Sequence, residues 1–202
     1  MAALGGIYVK EGKVVTAMEH VPEYLRVSQA ERERARSCRK RKLLKKTAEK
    51  KRRSQSMVLR EMLVDDLDQV MKIENELFSP PWTKEGFFTY LTRKDAMFLV
   101  VEEKGEILAY CGLIMVLDEG DITNVAVRPD RQKEGIGHFL MDSLIRLAEQ
   151  QGVTTIHLEV RTGNGTAIRL YERMGFTKDG IRKKYYTDPV EDALLMTRHP
   201  RG

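Results

Sequence analysis

Hydrophobic and polar positions follow two different periods along the chain from Met57 onward. Apolar residues three and four positions apart predict amphipathic helices, whereas apolar residues at every second position predict strands with one buried face. The predicted strands are 58–62, 97–102, 106–117, 121–127, 154–160, 176–186 and 192–197. The predicted helices are 64–78, 83–91, 135–151 and 164–175. This order describes one mixed α/β domain over residues 57–202, in which helices flank a sheet.

Residues that favour helix ends and turns support these limits. Thr83 and Asn164 are predicted N-caps, because their side-chain oxygens can accept a hydrogen bond from the first helical turn. Gly152 is expected to stop the helix that precedes it. Lys104-Gly105 is expected to form the turn of a hairpin.

Residues 1–56 have a different pattern and form an N-terminal extension. The segment 7–17 could form one or two short strands. Between Glu31 and Arg53 there are 13 Lys or Arg residues and 3 acidic residues, a net charge of +10, so that residues 54–202 carry −5 of the total of +5. This basic segment has too few apolar residues to offset its ordering entropy, and we interpret it as a solvated linker, disordered or weakly helical. The alternative is an arm that binds RNA or the ribosome.

Composition narrows the class of protein. The chain is 42% hydrophobic and 32% charged, which is typical of soluble globular proteins. No run of about 18 apolar residues and no secretory signal is evident. Cys38 and Cys111 form neither a disulfide framework nor a metal-binding spacing, so we expect a reduced, cytoplasmic environment and no metal site.

The segment from Val125 to Leu140 carries the first candidate chemistry. A strand runs into a turn, and Gly135 and Gly137 open a helix. Unpaired N–H groups at a helix start, without Cβ atoms in front of them, can bind a pyrophosphate. A P-loop sequence is absent, and a dinucleotide fingerprint would need glycine where Leu140 stands. On its own, this pattern is equally compatible with a tight turn that packs closely.

Two downstream residues are candidates for proton transfer. Apolar residues alternate along the strand 154–160, which places Glu159 on the face opposite to theirs. A carboxylate in this position is costly unless it is paired or used, so Glu159 is either a general base or the partner of a nearby arginine. Tyr171 lies on the apolar face of the helix 164–175. It is either a core residue or a hydroxyl donor to a bound group.

The loop and these two residues together resemble the GNAT superfamily of N-acetyltransferases. Gln132-Lys133-Glu134-Gly135-Ile136-Gly137 fits the superfamily's Gln/Arg-x-x-Gly-x-Gly/Ala loop, and it lies between a strand and a helix as required. From Met57 to about His199 the chain is also similar to the RimI-type ribosomal-protein-alanine acetyltransferases. That second resemblance is carried by Pro81-Trp82-Thr83, Asn124–Val127, Leu158–Arg161, Asn164, Leu170–Glu172, Gly175-Phe176, Arg182–Tyr186 and Glu191–Met196.

The resemblance implies acetyl-CoA as cosubstrate and a mostly antiparallel sheet that is splayed between the fourth and fifth strands of the domain. The cofactor-binding residues that it implies are Val125, Ala126, Val127, Lys133, Glu134, Gly135, Ile136, Gly137, His138 and Asn164. Backbone groups of the two valines would contact the pantetheine arm, and backbone N–H groups from Lys133 to His138 would bind the pyrophosphate. Glu134 is a departure, because an acidic side chain suits this place only if its backbone alone faces the anion.

The resemblance also implies a reaction. Glu159 would be the general base, through water, for the α-amine of a protein N-terminus, and Tyr171 would donate a proton to the departing thiolate. Trp82, Tyr185 and Tyr186 would border the peptide entrance. The substrate implied is the N-terminal alanine of a small-subunit ribosomal protein, whose basic character suits the acidic domain. Two alternatives remain open: acetylation of a small amine or an internal lysine, and a module that docks on the ribosome or tRNA through the basic segment.

A weaker resemblance concerns the N-terminal extension. Val21 to Glu33 is similar to the C-terminal end of TsaB-type proteins, which take part in tRNA threonylcarbamoyladenosine synthesis. This would imply an association with the proteins of that pathway. Residues 1–56 are too few for the TsaB fold, so we assign no such activity to this chain.

Overall fold

The chain forms two compact units, Met1–Ser54 and Gln55–Gly202. A computed structural model describes residues 8–10, 13–15, 36–42 and 57–199. In the first unit, β1 (Tyr8–Lys10) pairs antiparallel with β2 (Lys13–Val15), which confirms the predicted short strands. Residues 36–42 form a helix, α1, whose side chains are exposed. The segment that resembles TsaB and most of the basic segment lie outside the described residues.

The second unit contains every helix and strand that the sequence predicts from Met57 onward. Its strands are β3 (Met57–Glu61), β4 (Ala96–Glu103), β5 (Glu106–Val116), β6 (Glu119–Val127), β7 (Thr155–Arg161), β8 (Thr177–Thr187) and β9 (Val190–Arg198). Its helices are α2 (Leu67–Leu77), α3 (Lys84–Leu91), α4 (Ile136–Gln150) and α5 (Gly165–Arg173). Short 3₁₀ turns occupy Val64–Asp66 and Pro129–Arg131.

The start of the first predicted helix differs from the prediction. The α-helix begins at Leu67, after a 3₁₀ turn, instead of at Val64. The carboxylate of Asp66 accepts a hydrogen bond from the backbone N–H of Leu63 at 2.8 Å, and it is also bound by the guanidinium of Arg60. These contacts tighten the first turn, which hydrophobic periodicity alone cannot reveal.

The predicted caps and turn are confirmed. The Thr83 hydroxyl accepts a hydrogen bond from the backbone N–H of Gly86 at 3.0 Å, and the Asn164 side chain accepts one from the N–H of Ala167 at 3.1 Å. Lys104 and Gly105 have φ angles of 55° and 83°, in the left-handed region that a tight hairpin turn requires.

The seven strands of the second unit form one sheet in the order β3-β4-β5-β6-β7-β9-β8. All neighbours are antiparallel except β6 and β7, which are parallel. The ladder between β6 and β7 runs from Glu119 opposite Thr155 to Ile122 opposite Leu158 and ends there. The C-terminal halves of these strands therefore separate, and the mixed, mostly antiparallel sheet has the predicted splay.

Each face of the sheet buries its own hydrophobic cluster. On one face, α4 and α5 pack with residues such as Leu140, Leu144 and Tyr171. On the other, α2 and α3 cover a cluster that includes Phe87, Phe98 and the partly buried Trp82, whose rings lie in tilted or edge contact. Within the described residues, none of the helices has the length and apolar character needed to cross a bilayer. Near the place where the sheet opens, Ala126 of β6 belongs to the α2–α3 cluster, whereas Leu158 and Val160 of β7 belong to the α4–α5 cluster.

Candidate active site

A cleft of about 1140 Å³ is associated with the opening between β6 and β7. Its lining comes from the separated halves of both strands, from β8 and β9, from the start of α5 and from the loop that joins α2 to α3. Seven of the predicted site residues line it: Trp82, Val125, Glu159, Asn164, Tyr171, Tyr185 and Tyr186. Ala126, Val127 and residues 133–138 are not part of this lining. The structure thus brings the predicted catalytic and peptide-binding residues together, while the predicted pyrophosphate loop lies outside the cleft.

Glu159 lies on the cleft side of β7, as its alternation with buried neighbours predicts. Its carboxylate is 2.6 Å from Nη1 of Arg182 and accepts a hydrogen bond from the hydroxyl of Tyr185. That hydrogen bond is the main reason why the pKa of Tyr185 is raised. The guanidinium of Arg182 also lies 5.1 Å from the centre of the Tyr185 ring. The arginine pair that the sequence left open is therefore present in the free protein, and the role of base stays a prediction.

Tyr171 is 7% exposed, and it lines the cleft from α5. Its ring packs against Phe176, with the ring centres 5.8 Å apart. Burial raises the pKa of the Tyr171 hydroxyl, so the group keeps its proton at neutral pH. A buried, protonated phenol beside a cleft fits both a packing role and a proton-donor role, and the second of these stays a prediction.

The start of α4 has the features of an anion-binding site. Lys133 and Gly135 have φ angles of 63° and 91°, and no side chain caps the helix. A Cβ atom at Gly135 would meet nothing within 4 Å, whereas one at Gly137 would lie 3.4 Å from Cγ2 of Val127. Gly137 therefore permits close packing against β6, while the space in front of Gly135 is open for a ligand. Close packing is thus observed at Gly137, and anion binding in front of Gly135 stays a prediction.

The side chain of Glu134 lies beside an arginine of the same loop. Arg131 binds the Glu134 carboxylate at 3.2 Å and the Glu103 carboxylate at 3.0 Å. The acidic side chain of Glu134 thus shares one arginine with Glu103. This pairing offsets part of its charge near the backbone N–H groups where an anion is predicted to bind.

The splayed part of β6 offers main-chain groups to a ligand. Val125 and Val127 are opposite Cys111 and Ala109 of β5, and beyond Ile122 no described strand pairs with the edge of β6 that faces β7. The side chain of Ala126 is buried on the α2–α3 side, so only its backbone can contact a ligand in the opening. Asn164 already serves as the N-cap of α5 through its side-chain oxygen, in addition to lining the cleft.

Sequence reasoning missed Glu74, which lines the cleft although it is 0% exposed. Its carboxylate accepts hydrogen bonds from the backbone N–H of Trp82 at 2.8 Å, from the Asn124 amide at 3.5 Å and from the hydroxyl of Tyr110. Burial raises the pKa of Glu74. The available signal was a carboxylate on the apolar face of α2, next to Ile73.

A second missed residue is Arg161, two positions beyond Glu159 on the same face of β7. It lines the cleft, and its guanidinium donates hydrogen bonds to main-chain carbonyls of two separate loops. The family resemblance described above includes Leu158–Arg161, but it assigns no role to Arg161. Across the described ranges, no group of three or more His, Cys, Asp or Glu side chains is placed to bind a metal.

Comparison with known proteins gives a consistent result. Residues 67–176 match the acetyltransferase (GNAT) family. A Bacillus subtilis (strain 168) protein named putative [ribosomal protein bS18]-alanine N-acetyltransferase is 40% identical over 139 residues, which cover 68% of this chain and 92% of that protein. The crystal structure of the ribosomal-protein-S18-alanine N-acetyltransferase from Escherichia coli superposes with a TM-score of 0.66 at 34% identity and covers 72% of this chain and 96% of that one.

A more distant structure is that of the PaiA N-acetyltransferase from Thermoplasma acidophilum in complex with coenzyme A. It has a TM-score of 0.60 at 15% identity and covers 71% of this chain and 99% of that one. At this identity the likeness shows the fold alone.

Proposed function

This chain belongs to the acetyltransferase (GNAT) family, whose members use acetyl-CoA, and on that premise we propose that it acetylates the N-terminal α-amine of a ribosomal protein that begins with alanine. The observation that carries the proposal is the opening between β6 and β7, with Glu159 on its cleft side. The names of the Bacillus subtilis and Escherichia coli relatives support the substrate, since this chain spans 92% and 96% of their lengths.

The residues at the opening fit the coenzyme. The uncapped start of α4 would bind the pyrophosphate through the backbone N–H groups of residues 133–138. Main-chain groups of Val125 and Val127, on the unpaired edge of β6, would hold the pantetheine arm, and Asn164 would contact the coenzyme from the start of α5. When bound, acetyl-CoA supplies an acetyl group activated as a thioester, together with a thiolate leaving group.

Glu159 accepts a proton from the substrate's α-ammonium, through water, in the proposed reaction. The cationic amine and the bridging water can together replace the guanidinium of Arg182 at this carboxylate, because they also supply a positive charge and a hydrogen-bond donor. The neutral amine then attacks the acetyl carbonyl carbon, so that the C–N bond forms as the C–S bond breaks. Tyr171, which is protonated at neutral pH, gives its proton to the departing sulfur, and the second proton that the nitrogen loses as the amide forms restores the phenol.

The border of the cleft suits a peptide. Trp82, Tyr185 and Tyr186 all line it, and aromatic rings can pack against the first side chains of an extended segment. Residues 54–202 carry a net charge of −5, which favours approach by a basic protein. A ribosomal protein is made in the cytoplasm, where we place this enzyme.

The test is intact-mass measurement after incubation with acetyl-CoA and a synthetic peptide that begins with alanine. We expect one acetyl group on the α-amine. The matched control is the same peptide with its N-terminus already acetylated and one internal lysine added, and it should remain unmodified. Acetylation of the lysine control or of a small amine, without reaction at the alanine, would refute the proposal.

A further inference from the structure

One loop, between α2 and α3, contributes to the lining of the cleft where the substrate peptide is proposed to bind, and a second follows Thr187, another residue of that lining. We call residues 78–83 the α2–α3 loop and residues 188–189 the β8–β9 turn. Arg161, at the end of β7, joins them. Its Nη2 donates hydrogen bonds to the carbonyl oxygens of Ser79 at 3.2 Å and Asp188 at 2.8 Å, and its Nη1 donates to that of Pro189 at 3.1 Å. One guanidinium thus binds main-chain atoms of both loops.

Three further contacts support this bridge. The Ser79 hydroxyl donates a hydrogen bond to the Asp188 carboxylate at 2.7 Å, across 109 residues of sequence. The Arg161 guanidinium is 3.2 Å from the Glu191 carboxylate and lies 4.1 Å from the centre of the Tyr186 ring. Together with the three carbonyl contacts, these interactions are named the Arg161 clasp.

We propose that Arg161 is a positioning residue, whose clasp fixes the two loops against each other and so shapes the part of the cleft that receives the peptide. The inference rests on the proposed function, because it assigns the loops to the peptide side. Arg161 and Glu159 are two positions apart on the same face of β7. The strand that presents the predicted base therefore also sets the position of both loops around it.

The geometry favours a role in binding over a role in holding the fold together. Ser79, Asp188 and Pro189 are exposed, so water can hydrogen-bond to their carbonyl groups if Arg161 is removed. The α2–α3 loop has a separate anchor in the hydrogen bond from the N–H of Trp82 to Glu74. Loss of the clasp should therefore release the two loops from each other while the sheet and the hydrophobic clusters stay intact.

An arginine at position 161 can form this bridge better than a lysine could. Its planar group donates in several directions at once, which lets it reach three carbonyls and one carboxylate. A lysine at this position could keep the contact with Glu191 but could not hold both loops. Arg161→Lys should consequently behave more like Arg161→Ala than like the wild type.

The first measurement is steady-state kinetics of the full chain with the alanine-starting peptide. In Arg161→Ala we expect the KM for the peptide to rise about tenfold, because charge-assisted hydrogen bonds that order the binding surface are lost. The KM for acetyl-CoA and kcat should change less than about threefold. Arg146→Ala is the matched control, since Arg146 is an exposed arginine on α4 that pairs with Asp142, and its kinetics should match those of the wild type.

Hydrogen exchange of the free protein gives a second readout that needs no activity. Peptide-bond amides in residues 77–83 and 185–192 should exchange faster in Arg161→Ala, whereas those of α4 should not. Ser79→Ala, which removes only the hydroxyl contact with Asp188, should raise the peptide KM by about twofold and speed exchange in the same two segments. Ser79→Ala, the milder variant, also tests the clasp if Arg161→Ala does not fold.

The two proposals can fail separately. If the wild type does not acetylate the peptide but exchange rises in both loops of Arg161→Ala, the proposed function is wrong and the clasp stands. If the wild type is active, while the Arg161 and Ser79 variants leave both the peptide KM and the exchange of the loops unchanged, the clasp is overturned. A rise in the KM for acetyl-CoA equal to that for the peptide would also overturn it, because the effect would then be general.

Discussion

The Glu159 carboxylate has two competing partners at the scale of single residues. Arg182 neutralises it in the free protein, whereas the proposed reaction requires it to take up a proton from the substrate. In the proposed reaction the substrate amine takes the place of Arg182, whose Nη1 lies 2.6 Å from the carboxylate in the free protein. This gives a direct way to separate the ion-pair role of Glu159 from its role as a base.

We expect Glu159→Gln to lower kcat by roughly 10²–10⁴, because the amide keeps the shape of the side chain but cannot accept a proton. Arg182→Gln is the matched control, since it breaks the same ion pair and leaves the carboxylate in place. Its kcat should stay within about tenfold of the wild type. Similar losses in both variants, measured by release of coenzyme A, would assign Glu159 to the ion pair alone.

Glu74 provides a prediction about stability. Burial raises the pKa of its carboxyl group in the folded protein above the ordinary value of 4.5. In the pH range between these two values the folded state binds more protons than the unfolded state, so the free energy of unfolding falls as pH rises through that range. Glu74→Gln cannot titrate and should show a weaker fall.

Urea unfolding of both proteins at a series of values from about pH 4 to about pH 8 measures this difference. The two curves should diverge as pH rises, because the free energy of unfolding falls less in Glu74→Gln than in the wild type. Parallel curves would mean that Glu74 does not carry the pH dependence.

The start of α4 matters at the scale of elements, because it is a helix end without a side-chain cap. Its glycine has a counterpart at the other end of the same helix. Gly135 and Gly152 both have a φ of 91°, and a Cβ atom at either would meet nothing within 4 Å. Replacing either by alanine therefore causes the same backbone strain, of about 1 kcal/mol. Only Gly135 lies where the pyrophosphate is proposed to bind.

Gly135→Ala and Gly152→Ala should thus lower the melting temperature to a similar extent. Gly135→Ala should in addition weaken binding of coenzyme A, because a methyl group and a shifted backbone disturb the N–H groups of the helix start. Isothermal titration with coenzyme A compares the two. Equal affinities for coenzyme A would place the pyrophosphate elsewhere.

Much of the element structure could be predicted from the sequence because it depends on local features. The periodicity of apolar residues, the caps at Thr83 and Asn164 and the hairpin turn at Lys104-Gly105 each involve residues a few positions apart. The splay of the sheet followed only from the resemblance to a family. The arginine partner of Glu159 was one of two alternatives that the sequence left open.

The remaining features depend on contacts between distant parts of the chain. Glu74 could be placed on a helix face, but its partner Tyr110 is 36 residues away. The clasp joins Ser79 to Asp188 through Arg161, the last residue of β7. No local sequence pattern specifies the contact between these three segments. The order of elements along the chain likewise does not reveal that β9 lies between β7 and β8 in the sheet.

At the scale of the whole molecule, charge is distributed unevenly. The segment from Glu31 to Arg53 carries +10 and residues 54–202 carry −5. The acidic unit should attract a basic peptide over a distance that salt controls, since the Debye length is about 10 Å at 0.1 M and about 3 Å at 1 M. The basic segment opposes this attraction, because its charge has the same sign as the substrate.

We therefore expect kcat/KM for a basic peptide to fall about three- to tenfold between about 0.05 M and about 0.5 M salt. The decrease should be larger in a variant that lacks residues 1–56. A control peptide with glutamine in place of its lysine and arginine residues should show little change. An equal salt effect on both peptides would show that steering by charge is absent.

The sheet order also bears on how the enzyme is made. β9 follows β8 in the chain but lies between β7 and β8, and it pairs with both. During translation, β8 has no strand to pair with in this sheet until residues 190–198 have left the ribosomal tunnel. Both strands line the cleft, so a chain that lacks residues 190–198 should lack the β8–β9 part of its lining. Assembly of the peptide side is thus expected to occur in one late step, when β9 inserts.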